Sequence, residues 1–195
     1  MRDAAVALIA SGVSVGVVAL VVLNLLPSGL SPLRDPVSQY GITRFKAGYR
    51  VQTLAYGLAG AGAAIGIAAL PRTSRLAVVL CCVFAASRTA ISWFPMDAPG
   101  AERSDTGRHH GQLAMCAFVA VALAAVELSR TAGHDHVGGA FGAVSGVLAA
   151  AMLASLIAMA VGRRAGSGSF GLVERIFYLS MTAWLVTVAA LLASR

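Results

Sequence analysis

Charge is scarce in this chain, and acid is scarcer still. Asp and Glu number 8 against 15 Lys and Arg in 195 residues, and 12% of the residues carry a charge, about half of what a water-soluble domain uses. With 58% hydrophobic residues and a mean hydropathy of +0.79, that scarcity excludes an ordinary soluble domain and implies a membrane protein. Metal-ligand spacing is missing too, since no HxxxH, HExxH or CxxC occurs. The three cysteines, Cys81, Cys82 and Cys116, fall in apolar runs, where thiols behave as small apolar groups, and no redox role is assigned to them. A cleavable leader is not expected either. The first apolar run exceeds a signal-peptide core and lacks a small-x-small cleavage site, so it is read as a retained helix. The net charge of +7 would suit nucleic acid in a soluble protein, but these arginines are scattered over short connections instead of sharing one face. Anionic lipid is the expected counter-charge, and no nucleic acid partner is expected.

What the chain does contain is apolar runs of membrane-spanning length. Six stand at about 4–26, 49–70, 76–94, 111–128, 139–161 and 172–193, each near the roughly 20 residues needed to cross about 30 Å of hydrocarbon. Backbone groups in lipid must be satisfied within their own segment, so the fold class is all-α, a polytopic bundle of six transmembrane helices forming one integral membrane domain over 1–195. Gly12 and Gly16, Gly62 and Gly66, and Gly142 and Gly146 form three GxxxG pairs, which let helix backbones approach closely within the bundle or in a homo-oligomer or membrane complex. Between the first two runs, Asp35-Pro36 reads as an N-cap with proline at the first helical position and Gly41 as a stop. Leu30, Leu33, Val37 and Tyr40 recur at helical spacing, which predicts a short amphipathic helix lying along the interface.

Helix count organises the polar residues. Six antiparallel crossings put the first, third and fifth connections on one membrane face, together with Asn24, Arg88, Glu174, Arg175 and Tyr178. Runs one, two and five are apolar through their centres, so no hydrophilic path reaches both faces. Arg88 lies about two turns inside the end of the third run, where arginine is costly unless it snorkels to headgroups or is paired. The candidate ligand-binding residues are Arg88, Asp97, His109, Glu174, Arg175, Tyr178, Ser38 and Tyr40. The connection from Asp97 to His110 also offers Asp97, Asp105, His109 and His110 as weaker metal ligands, for which zinc would be the ion. His109 and Gln112 are expected to share a helix face. His134-Asp135-His136 belongs to the opposite side and reads as a solvated loop, and Gly162 to Ser169 as a basic flexible link. Eight basic residues on the convergent face (Arg34, Arg44, Lys46, Arg50, Arg103, Arg108, Arg163, Arg164) against five on the other (Arg2, Arg72, Arg75, Arg130, Arg195) favour a cytoplasmic polar face.

The order of short motifs resembles a known group. Leu30-Ser31-Pro32-Leu33 and Val37-Ser38-Gln39-Tyr40-Gly41 after the first run, Phe94-Pro95-Met96-Asp97 after the third, a histidine opening the fourth and Gly171-Leu172-Val173-Glu174-Arg175 opening the sixth resemble the six-helix bacterial and archaeal membrane proteins of the DUF-998 family. The resemblance implies that architecture and a shared polar face, without an activity, and the expected location is a bacterial plasma membrane. A more distant likeness to membrane hydrolases using Ser, Asp and His with zinc can be drawn from Ser87, Asp97 and His109, although the later histidine pair of those enzymes is missing from the sixth run. Three readings follow. The polar face binds or handles a lipid headgroup or small amphiphile without a resident cofactor; or it is a metal-dependent hydrolase acting on lipid; or the chain is a structural subunit or scaffold whose polar end is a latch. Arginine suits the first, because its planar fork donates two hydrogen bonds to one phosphate.

Overall fold

The protein is described here by a computed structural model covering residues 1–71, 74–132, 136–164 and 168–195, with backbone only at 136, 137 and 164. Regular structure among the described residues is helical: α1 (Arg2–Leu25), α2 (Lys46–Ala68), α3 (Arg75–Ala90), α4 (Asp105–Thr131), α5 (His136–Arg164) and α6 (Phe170–Ala193), with 3₁₀ segments at Val37–Ile42 and Ile91–Trp93. By length and composition six helices can cross a membrane, α3 doing so together with its 3₁₀ extension to Trp93. The chain is therefore a multi-pass membrane protein. Large apolar side chains such as Val18, Val79, Val147, Ile157 and Leu179 face outward, as a lipid-facing surface requires.

The helices form a ring in chain order. Each packs on its sequence neighbour, α6 closes the ring against α1, and α2 also reaches across to α6. Small residues permit this closeness. A Cβ added at Gly12 would lie 2.5 Å from the Ala55 carbonyl oxygen, and one at Gly62 would lie 2.8 Å from Leu8 Cβ, so α1 and α2 meet backbone to backbone. Gly142 and Gly146 similarly abut Ala132 and Ser129. All three GxxxG pairs thus face helices or helix ends of their own chain. Inside the ring, Phe118 stacks on Phe177 at 4.4 Å and meets Tyr178 edge-on at 5.8 Å. Trp184 Nε1 donates to Ser145 Oγ (2.9 Å), which donates to the Ala125 carbonyl (2.8 Å), joining α6, α5 and α4 through buried polar atoms.

Several local expectations are corrected. The segment after α1 is a 3₁₀ helix starting at Val37, with Pro36 at its N-cap, so Asp35 does not cap it. Asp35 Oδ2 instead accepts from Ser31 N at 2.6 Å, closing the turn upstream. Gly41 lies within this helix rather than ending it, and it leaves room for the ring of Tyr49. Val37 and Tyr40 are buried and Leu30 packs against the core while Leu33 is 59% exposed, so three of the four residues of the expected apolar stripe face the core. Helix α4 starts six residues earlier than its apolar run, because Ser104 Oγ accepts from Gly107 N (3.0 Å) and caps it. The expected link at Gly162 to Ser169 is helical as far as Arg164, and 165–167 lie outside the described residues. His134 and Asp135 lie outside them too, while His136 opens α5.

Candidate functional site

Arg88 is 1% exposed and turned into the ring, so it does not snorkel. Its NH2 donates to Gln52 Oε1 at 2.9 Å, and its guanidinium carbon lies 5.5 Å from the Tyr178 ring centroid and 6.0 Å from that of Tyr56. No carboxylate pairs with it among the described residues, where the one ion pair is Arg108 with Asp105 on the surface. An arginine at a helix centre costs about 2.5–3.5 kcal/mol on insertion scales. One hydrogen bond to a charged group returns about 1.5–3 kcal/mol, and desolvated ring contacts add up to about 2 kcal/mol. Gln52 and the two tyrosines can therefore hold the charge in place of an acid. Their hydrogen bonding is incomplete, because Arg88 Nε and Gln52 Nε2 are both buried without a partner.

Glu174 and Arg175 act on a different part of the chain. Glu174 is 5% exposed, and its Oε2 accepts from Val37 N at 2.7 Å, which satisfies the first free donor of the 3₁₀ helix across 137 positions of sequence. The next residue, Arg175, donates from Nε and NH2 to Asn24 Oδ1 (3.0 and 2.8 Å) and from NH1 to the carbonyls of Asp35 (3.1 Å) and Gly171 (3.0 Å). Backbone N–H groups of Gly171 and Leu172 donate to the carbonyls of Arg34 and Leu33. A Cβ on Gly171 would sit 2.6 Å from both the Pro32 and Asp35 oxygens. The first connection is thus fastened onto the start of α6. Tyr40 joins the same cluster, its hydroxyl 3.4 Å from Asn24 Oδ1.

The third connection has its own closure. Asp97 accepts from Ser104 Oγ (2.5 Å) and Ser104 N (3.1 Å), holding the residue that caps α4. Of the two histidines, His110 is the buried one, and its Nδ1 donates to the Phe94 carbonyl at 2.7 Å. His109 is exposed and stacks on Phe94 at 5.6 Å, and Gln112 is exposed as well. Ser38 Oγ donates to Met96 Sδ at 3.2 Å, tying the first connection to the third. The expected gathering of Arg88, Asp97, His109 and Glu174 is resolved into three separate clusters. Among the described residues no three His, Cys, Asp or Glu side chains come together as a metal site.

Between the first connection, the start of α2 and the end of α3 lies a cavity of about 390 Å³. Thr43, Lys46, Tyr49, Arg50 and Ser92 line it, and no acidic side chain does. Arg50 Nε donates to the Ser92 carbonyl at 3.2 Å, and the Ser92 and Thr53 hydroxyls are 2.7 Å apart. Ser92, in the cavity wall, stands one turn beyond Arg88. Arg88 itself does not line the cavity. These are chemical features of an anion site: two cationic side chains and no opposing acid.

The sequence pattern of a family described as Protein of unknown function (DUF998) matches residues 6–191. The chain belongs to this family. No curated protein and no solved structure matches the chain. Within this DUF998 protein the motifs that carry the resemblance are the ones that close the polar face: Gly171, Glu174 and Arg175 grip the first connection, and Asp97 braces the cap of α4. The cavity residues Lys46, Tyr49 and Arg50, and Gln52 beside Arg88, were not among the candidate ligand-binding residues read from sequence. A signal for Gln52 was present, since Gln52-Thr53 is a polar pair inside the second apolar run, on the side that α2 turns to α3.

Proposed function

We propose that this DUF998 protein binds the anionic headgroup of a membrane amphiphile in the cavity at the start of α2. The observation that supports it best is that acid-free cavity of about 390 Å³ lined by Lys46 and Arg50. The 3₁₀ segment that contributes Ser92 to its wall follows Arg88 by one turn. Lys46 and Arg50 would attract the phosphate and orient it. Arg175, Glu174, Tyr40, Asp97 and Ser38 hold the walls, and His109 lies outside the cavity. In this reading the membrane is the bacterial plasma membrane and the cavity opens on its cytoplasmic face, where the basic residues are concentrated.

Lys46 is the only lysine, which makes the test direct. In phosphatidylcholine nanodiscs an amine-reactive reagent should modify Lys46, and added phosphatidylglycerol should slow that modification several-fold without slowing the N-terminal amine equally. Each basic residue near an anionic surface contributes about 1 kcal/mol. Lys46→Ala combined with Arg50→Ala should therefore lose roughly tenfold or more of phosphatidylglycerol retention in native mass spectrometry. An unchanged labelling rate and unchanged retention would overturn the reading.

A further inference from the structure

On the other flank of the α2 start, a groove of about 540 Å³ runs between α1 and α2. We propose that it is a separate site for an anionic phospholipid, which lays one acyl chain along the groove and sets its phosphate on Arg44. Its walls are almost wholly apolar, with Val15, Val18, Val22, Leu26 and Val51 among them, and Arg44 and Phe45 close the end nearest the polar face. The dimensions select the occupant. Lining residues on α1 extend from Ser14 to Leu26, about 18 Å of helix at 1.5 Å per residue, close to the roughly 15 Å depth of one leaflet. Ser14 is near the middle of α1 and Leu26 is at its end, so the groove begins at the interface and stops near the midplane. An acyl chain anchored at a headgroup has that reach, whereas a partner transmembrane helix would need the full thickness.

Arg44 supplies the complementary charge. It is exposed, donates one hydrogen bond to the Pro27 carbonyl at 3.2 Å, and lies over the Phe45 ring at 4.8 Å. Guanidinium carries five N–H donors, so a planar fork remains to meet phosphate oxygens. No acid lines the groove. The groove shares no lining residue with the polar cavity, so the inference stands apart from the proposed headgroup function.

The test uses phosphatidylglycerol with a photoreactive group midway along one acyl chain, and its phosphatidylcholine counterpart, in nanodiscs holding the full chain. Mass mapping should place phosphatidylglycerol adducts on residues 14–26 and 47–51, with the phosphatidylcholine probe several-fold weaker there. Arg44→Ala, a change at an exposed position, should lower the phosphatidylglycerol yield about fivefold, and Ala19→Trp should fill the groove and remove the adducts. Lys46→Ala/Arg50→Ala should leave them in place. Adducts spread evenly over the outward faces of α1, α3 and α5, or indifferent to Arg44 and to headgroup, would overturn the proposal. Loss of the adducts in the Lys46/Arg50 variant would also overturn it, by making the lipid that of the polar cavity. A failed cavity reading with groove adducts intact would leave this site standing.

Discussion

Arg88 shows how a single buried charge can be held without a counter-ion. Its hydrogen bond to Gln52 and the flanking Tyr56 and Tyr178 rings stand where a carboxylate would be expected. Removing one partner of a buried polar pair leaves the other desolvated and unpaired, whereas removing both with apolar groups of similar shape is nearly neutral. Gln52→Leu alone should therefore destabilise the protein by about 2–4 kcal/mol, because it strands the guanidinium. Adding Arg88→Met should restore much of that loss. The measurement is a double-mutant cycle on unfolding in mild detergent, and strictly additive effects would show that the pair is not coupled. The sequence marked Arg88 as the costly residue, because a cation inside an apolar run is conspicuous. It could not name Gln52 as the partner, since amide-to-guanidinium pairing across two helices depends on how α2 and α3 are rotated against each other.

At the level of elements, the polar face is a set of closures made by connections. The start of α6 donates backbone hydrogen bonds to Leu33 and Arg34, Glu174 caps the 3₁₀ helix, and Arg175 draws Asn24 and the Asp35 carbonyl together. Gly171 is the contact point that admits this docking, since a side chain there would meet two carbonyl oxygens at 2.6 Å. Backbone cannot yield as a flexible side chain does, so Gly171→Val should cost about 1–3 kcal/mol, as overpacking does, and free the first connection from α6. Thermal unfolding in detergent should show the loss, and limited proteolysis should show new cleavage between Ser28 and Tyr40. Unchanged proteolysis would mean that the connection is held elsewhere. The six helices were legible as runs of the right length, because lipid demands that length and a helical backbone. The 3₁₀ form of the first connection was not, because its first free N–H is satisfied by Glu174, distant in sequence. Nor was the early start of α4, which rests on Ser104 and Asp97 in a stretch with no apolar periodicity.

For the molecule as a whole, the arrangement is asymmetric across the membrane. One end carries the cavity, Arg44, the buried Arg88 and the closures of the first and third connections, while at the other the Ser74 hydroxyl donates to Glu127 at 2.7 Å between α3 and α4. Basic residues follow the same division, and loops rich in Lys and Arg stay on the cytoplasmic side. If the cavity faces the cytoplasm, Lys46, Arg50 and Arg44 meet the leaflet with the negative surface potential, where each gains most from anionic lipid. Cysteine scanning decides the orientation. Cys81, Cys82 and Cys116 are first changed to alanine, and single cysteines are then placed at the exposed positions Glu102 and Ser194. Glu102→Cys should resist a membrane-impermeant maleimide in intact cells and react in inverted vesicles, and Ser194→Cys should do the reverse. The opposite pattern would put the basic face outside, and the charge excess would then have to be explained by ligand binding alone, because it would oppose the bias that orients the helices.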